Sequence, residues 1–154
     1  MQTISCDKFP RQGKTKDKEQ CGLCTSCLLR RISLAAAGLV TPDQEFAHYE
    51  DDVYQVLPTP NNREKLMPLG AMRVQADRLQ SALNSSDKQK TLIREFTELQ
   101  RIRVVFARLE NRPLADVTRD LVNLFNTYLR EWDLFDFLLP KPAQMTQERV
   151  YGSQ

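Results

Sequence analysis

All four cysteines of this chain, Cys6, Cys21, Cys24 and Cys27, lie near its start, and none follows through residue 154. Three of them stand in the run Cys21-Gly22-Leu23-Cys24-Thr25-Ser26-Cys27, where two-residue gaps turn successive thiols toward one centre and Gly22 supplies the turn freedom. Cys6 can return across residues 7–20 as a fourth corner, completing the pattern of a closed zinc site with four thiolate ligands. Soft sulfur suits Zn²⁺. Disulfides are the weaker fate, because they need an oxidising compartment. Met1-Gln2-Thr3-Ile4-Ser5 lacks the basic start and apolar run of a signal peptide, which points to a cytoplasmic, reducing setting. A four-iron four-sulfur cluster stays open as a minor alternative, although the spacing is neither the bacterial nor the plant ferredoxin run.

Four protein ligands leave no position for water or substrate, so a metal held this way supports the fold and does not activate a nucleophile. It also has local work to do. The loop carrying Lys8, Arg11, Lys14, Lys16 and Lys18 has little apolar to bury besides Phe9, and metal binding would supply much of its folding energy.

The whole chain is 41% hydrophobic and 27% charged, the composition of one soluble globular unit, and no segment reaches eighteen uninterrupted apolar residues. Helical periodicity dominates. Cys24 to Ala37 reads as a helix ended by Gly38 at a left-handed cap, with its first-turn N–H groups directed at the thiolates. Thr41-Pro42-Asp43-Gln44 opens a short helix through about Tyr49. Leu69, Met72, Ala76, Leu79 and Leu83 mark a helix with Pro68 near its first turn. Ser86 and Gln89 form a capping box before a stripe of Leu92, Phe96, Leu99, Ile102, Phe106 and Leu109, read as core. A third long helix starts at Pro113, follows Leu114, Val117, Leu121, Leu124 and Tyr128, and extends through Trp132, Phe135 and Leu138 to Pro140. Only Val53-Tyr54-Gln55-Val56-Leu57 carries a strand signal. The expected class is therefore all-α. A cysteine knuckle and its helix occupy residues 1–58, a bundle of about three helices 59–140, and a polar tail 141–154.

The residues from Ser5 to Tyr49 carry a family likeness. Ser5-Cys6, the run Cys21 to Arg31, Ala36-Ala37-Gly38-Leu39 and Asp43 to Tyr49 resemble the C-terminal zinc-binding end of 7-cyano-7-deazaguanine synthases. These are enzymes of queuosine-type chemistry in the PP-loop ATP pyrophosphatase superfamily, with relatives in some anti-phage systems. The resemblance covers about the first third of the chain and implies zinc ligation by Cys6, Cys21, Cys24 and Cys27. It also implies a partner: the Ser-Gly-Gly-x-Asp-Ser loop that binds ATP in this family occurs nowhere in the 154 residues. ATP would enter only through a PP-loop domain or subunit, and this chain alone would not be an enzyme. A fragment, a split subunit and a defence variant with a helical extension all fit.

Arg30 and Arg31 follow the knuckle where the family's substrate pocket lies, and they are candidate anion contacts; a solvated helix face is the plainer reading. Lys8 to Lys18 and Arg94, Arg101, Arg103 and Arg108 invite a nucleic-acid reading. However, Glu95, Glu98 and Glu110 interleave with the arginines, and charge alternates in blocks of +4 over 1–31, −5 over 32–60, +4 over 61–110 and −1 over 111–154. Nucleic acid is thus a weak third choice. The run Trp132 to Leu139 holds more large apolar groups than one helix face hides, which makes Trp132, Phe135 and Phe137 candidates for a protein interface, with self-burial as the competing fate. That run supports the alternative of a stand-alone helical adaptor. Gly13-Lys14-Thr15 is not a phosphate loop, since Lys8 stands where its first glycine belongs. Asn84-Ser85-Ser86 reads as a helix-entry loop, and His48 as a helix residue without a nucleophile to serve.

Overall fold

The computed structural model describes residues 20–39, 49–55 and 63–139. Among these residues it is all-α, with five helices and no strand. They are α1 (Thr25–Ala36), α2 (Met67–Leu83), α3 (Lys88–Glu95), α4 (Glu98–Leu109) and α5 (Leu114–Leu138). The helix expected after Thr41, the boundary near residue 60 and the tail from Lys141 lie outside the described residues. No helix among the described residues is long and apolar enough to cross a membrane.

Local chemistry accounts for the ends of α1. Cys24 is its N-cap, extended at φ −73° and ψ 162°. At the other end Gly38 sits at φ +63°, with Leu39 N–H donating to Leu34 O and Gly38 N–H to Ala35 O. This is the paired C-terminal motif that a left-handed glycine permits. In α2 the buried set Leu69, Met72, Ala76, Leu79 and Leu83 reproduces the sequence periodicity residue for residue, with Pro68 in the first turn.

The expected long helix after Ser86 is two helices. Asp87, not Ser86, is the cap, accepting from Lys90 N–H at 3.1 Å. A carboxylate outcompetes the neighbouring hydroxyl for the exposed N–H groups of the first turn. The helix then stops at Phe96, which leaves helical geometry at φ −124° and ψ 79°. The break is stabilised from α2: the Arg78 guanidinium lies 5.0 Å from the centre of the Phe96 ring and donates to Glu95 O, a carbonyl the helix end leaves free. Re-phasing follows. Leu92 and Leu99 are buried, whereas Ile102, Phe106 and Leu109 are exposed, so only part of that stripe is core.

α5 is the spine of the bundle and packs against each of the other four helices. Its buried face is Val117, Thr118, Val122, Leu129, Trp132 and Phe135, rotated from the expected line, which leaves Leu114 and Leu124 exposed. Thr118 explains the rotation. Its hydroxyl donates to Leu114 O at 2.7 Å and accepts from Arg103 at 3.2 Å, so a polar residue occupies a core position without an unsatisfied group. Between α4 and α5 this arrangement leaves an apolar groove of about 460 Å³ lined by Ile102, Phe106, Leu121 and Leu124.

Within the expected strand, Val53–Gln55 is a turn. The Asp52 carboxylate accepts from Tyr54 N–H at 3.0 Å and Asp52 O from Gln55 N–H at 3.1 Å, closing the chain on itself. One buried apolar core joins both halves of the chain: Leu23, Leu28, Ile32 and Val53 share it with Leu69, Leu79, Leu92, Trp132 and Phe135.

Candidate metal centre

Local turns and a pairing with residues 49–51 bring Cys21, Cys24 and Cys27 together. Cys24 at the N-cap and Cys27 in the first turn of α1 stand three residues apart, on one side of the helix entry. Cys21 is placed from outside the helix: a parallel bridge pairs Gln20 with Tyr49, Glu50 N–H donates to Gln20 O, and Asp51 N–H donates to Cys21 O. Gly22 then turns the chain at φ +86°.

The three sulfurs lie within 4.8 Å of one another, all buried, and this group can hold a metal ion. Cys21 Sγ and Cys27 Sγ are 3.9 Å apart and remain thiols. Cys24 N–H points at Cys21 Sγ at 3.4 Å, and Cys27 lies 3.9 Å from Gln20 Oε1. Cys21 is pulled well below the ordinary thiol range by its hydrogen bond with Cys27, helped by the N–H groups of Leu23 and Cys24 and opposed by burial. The same hydrogen bond, with burial, pushes Cys27 up. The two thiols thus share one short sulfur–sulfur contact, and as soft donors they suit a soft cation. Among the described residues no histidine or carboxylate joins the three cysteines. Cys6, His48 and the basic loop from Lys8 to Lys18 lie outside the described residues.

Arg31 is neither solvated nor aimed at an open pocket. It is 0% exposed, one turn beyond Cys27, with its guanidinium 3.8 Å from the centre of the Tyr49 ring and 5.5 Å from that of Tyr54. It reaches the Asp52 carboxylate at 3.6 Å and donates to Asp51 O at 3.4 Å. This geometry makes it a buried pin between α1 and residues 49–55. Arg30, beside it, is half-buried. Sequence reasoning missed the receiving wall of Tyr49, Asp51, Asp52 and Tyr54, although the acidic step Glu50-Asp51-Asp52 and the basic pair Arg30-Arg31 were a visible complement.

Two of the three interface candidates are core. Trp132 and Phe135 are buried, with ring centres 6.0 Å apart, and the Tyr54 ring centre lies 5.8 Å from that of Phe135 in an edge arrangement. The apolar surplus of the segment is only half absorbed: Trp132, Phe135 and Leu139 are buried, whereas Leu134, Phe137 and Leu138 stay exposed. Of the three candidates Phe137 alone remains outside, 76% exposed.

Gly22 ties the knuckle to its wall most tightly. A Cβ there would stand 2.2 Å from Asp51 O and 3.0 Å from Tyr49 Cβ, on a backbone that L residues rarely adopt. Gly22→Ala is expected to cost more than the ~1–3 kcal/mol of backbone strain alone, since the clash is with main chain. Gly38→Ala meets open space and should cost only about 1–2 kcal/mol. Urea midpoints of the two variants check the order; equal losses would refute the close approach.

The chain matches no protein-family profile, no curated protein and no solved structure.

Proposed function

We propose that this chain is a zinc-bound module of a 7-cyano-7-deazaguanine synthase-like, ATP-dependent enzyme, with its zinc structural and its ATP-binding PP-loop half supplied by another domain or subunit. The observation that carries the reading is the approach of three buried sulfurs within 4.8 Å. Zn–S bonds of about 2.3 Å in a tetrahedron set sulfur separations near ~3.8 Å, and Cys21 and Cys27 stand 3.9 Å apart. Cys6 would complete the shell. The resemblance that names the enzyme class is carried by the same stretch, Cys21 to Arg31, that builds this cluster. With four thiolates the metal offers no open site, so it orders the chain and takes no part in the chemistry.

The burial of Arg31 bears on how such a module would serve a pocket. In this reading it supports the pocket by holding residues 49–55 against α1, and Arg30 is left as the candidate anion contact.

Purified protein should contain about one zinc per chain, and loading should weaken as pH falls, because the metal must displace the proton shared by the thiols. Elemental analysis with a metal-competition titration measures both. Stoichiometric iron with sulfide, or no metal in reduced protein, would overturn the zinc assignment. The enzyme class is read separately: the pure chain should not turn over ATP, and adding a PP-loop domain with ammonia as nitrogen donor should produce ATP-dependent conversion of a carboxylate to a nitrile, the carboxylate oxygens leaving on the spent nucleotide and phosphate. ATP turnover by the chain alone would contradict it.

A further inference from the structure

We infer that metal occupancy of the cysteine knuckle decides whether the apolar C-terminal end of α5 is covered. The inference rests on the metal reading above and adds a conformational role to it.

The cover consists of α1 and residues 49–55. α1 packs chiefly against α5. Its Leu28 and Ile32, with Val53, complete the core that contains Trp132, Phe135 and Leu139. Tyr54 adds an edge contact to Phe135. Apart from an exposed ion pair of Asp51 with Lys65, the attachments that hold this cover in shape lie on the cysteine run and α1. Residues 49–55 are fastened by backbone bonds to Gln20 and Cys21, by the close approach at Gly22, and by Arg31 reaching Asp51 and Asp52. The order of contact is continuous, from the sulfur cluster through Tyr49, Arg31 and Tyr54 to Phe135.

A helix of the length of α1 is marginal by itself. Metal ligation would contribute folding free energy to a site whose backbone ties Gln20 and Cys21 to residues 49–51. Emptying the site therefore favours release of the knuckle, and the cover goes with it. The remainder has its own support: α2 packs on α3 and α5, and α4 on α5. Leu79, Leu83, Leu92 and Leu129 fill that core from within α2, α3 and α5. The knuckle is thus a latch on the bundle, and its release exposes Trp132, Phe135 and Leu139 to solvent.

Trp132 is the only tryptophan and reports on this directly. The full chain, loaded with zinc in the presence of a reductant, is treated with a chelator while Trp emission, acrylamide quenching and far-ultraviolet circular dichroism are followed. Emission should move to longer wavelength, the quenching constant should rise severalfold, most helicity should persist, and added zinc should reverse all three. If zinc binds in stoichiometric amount but chelation leaves emission and quenching unchanged, the latch is overturned while the metal reading stands. If helicity collapses together with Trp exposure, the metal holds the whole fold and the latch is again overturned. A chain that binds no metal removes both readings.

Discussion

Phe135→Ala should destabilise the protein by about 3–5 kcal/mol, whereas Phe137→Ala, two residues along the same helix, should change stability by less than about 0.5 kcal/mol. Phe135 is 0% exposed and touches Tyr54 and Trp132, so truncation leaves a cavity where α5 meets both the knuckle wall and the bundle. The neighbours are held by separate elements, and no single movement fills it. Phe137 projects from the opposite side of α5. Chemical denaturation of the two variants reads the difference. Similar midpoints would mean that α5 is rotated from the orientation described, and the burial of Trp132 would be in doubt with it.

Arg31→Ala is expected to cost a comparable amount, about 3–5 kcal/mol, because it leaves the Asp52 carboxylate buried without its cation. The Asp52 side chain has only 5% of its surface exposed and is committed to the turn through Tyr54 N–H. Lysine is a poor replacement, since a point charge cannot lie flat on the Tyr49 ring while spanning Asp51 O and the carboxylate. Removing both charges is different: Arg31→Met combined with Asp52→Leu should recover much of the loss, as paired buried ions replaced by apolar groups often do. Thermal melts of the two single variants and the double variant test this. An Arg31→Ala melt equal to that of the unchanged chain would exclude the pin and return Arg31 to the list of ligand contacts.

Features governed by a few neighbouring residues were readable in advance. The α2 face follows from regular Leu, Met and Ala spacing, the end of α1 from Gly38, and the sulfur cluster from two-residue gaps that face one centre. What escaped depended on partners distant in sequence. Nothing local at Phe96 ends a helix; the break needs Arg78 from α2. Thr118 becomes a core residue only because Arg103 donates to it, and without that contact the α5 periodicity selects Leu124 instead. Arg31 looks like surface until Tyr49, Tyr54 and Asp52 close around it. Polar and charged side chains inside a core are the hardest to foresee, since their burial is decided by who satisfies them.

The contact between Tyr54 and Phe135 spans much of the chain, and that span sets a timetable for synthesis. The cysteine run is synthesised before the helix that receives α1. At roughly 5–20 residues per second, the knuckle waits on the order of 5–20 s for Phe135 to emerge. During that wait Leu28 and Ile32 lack the α5 surface that they cover in the finished fold. Docking of α1 on α5 is thus separated in time from the making of the cysteine run.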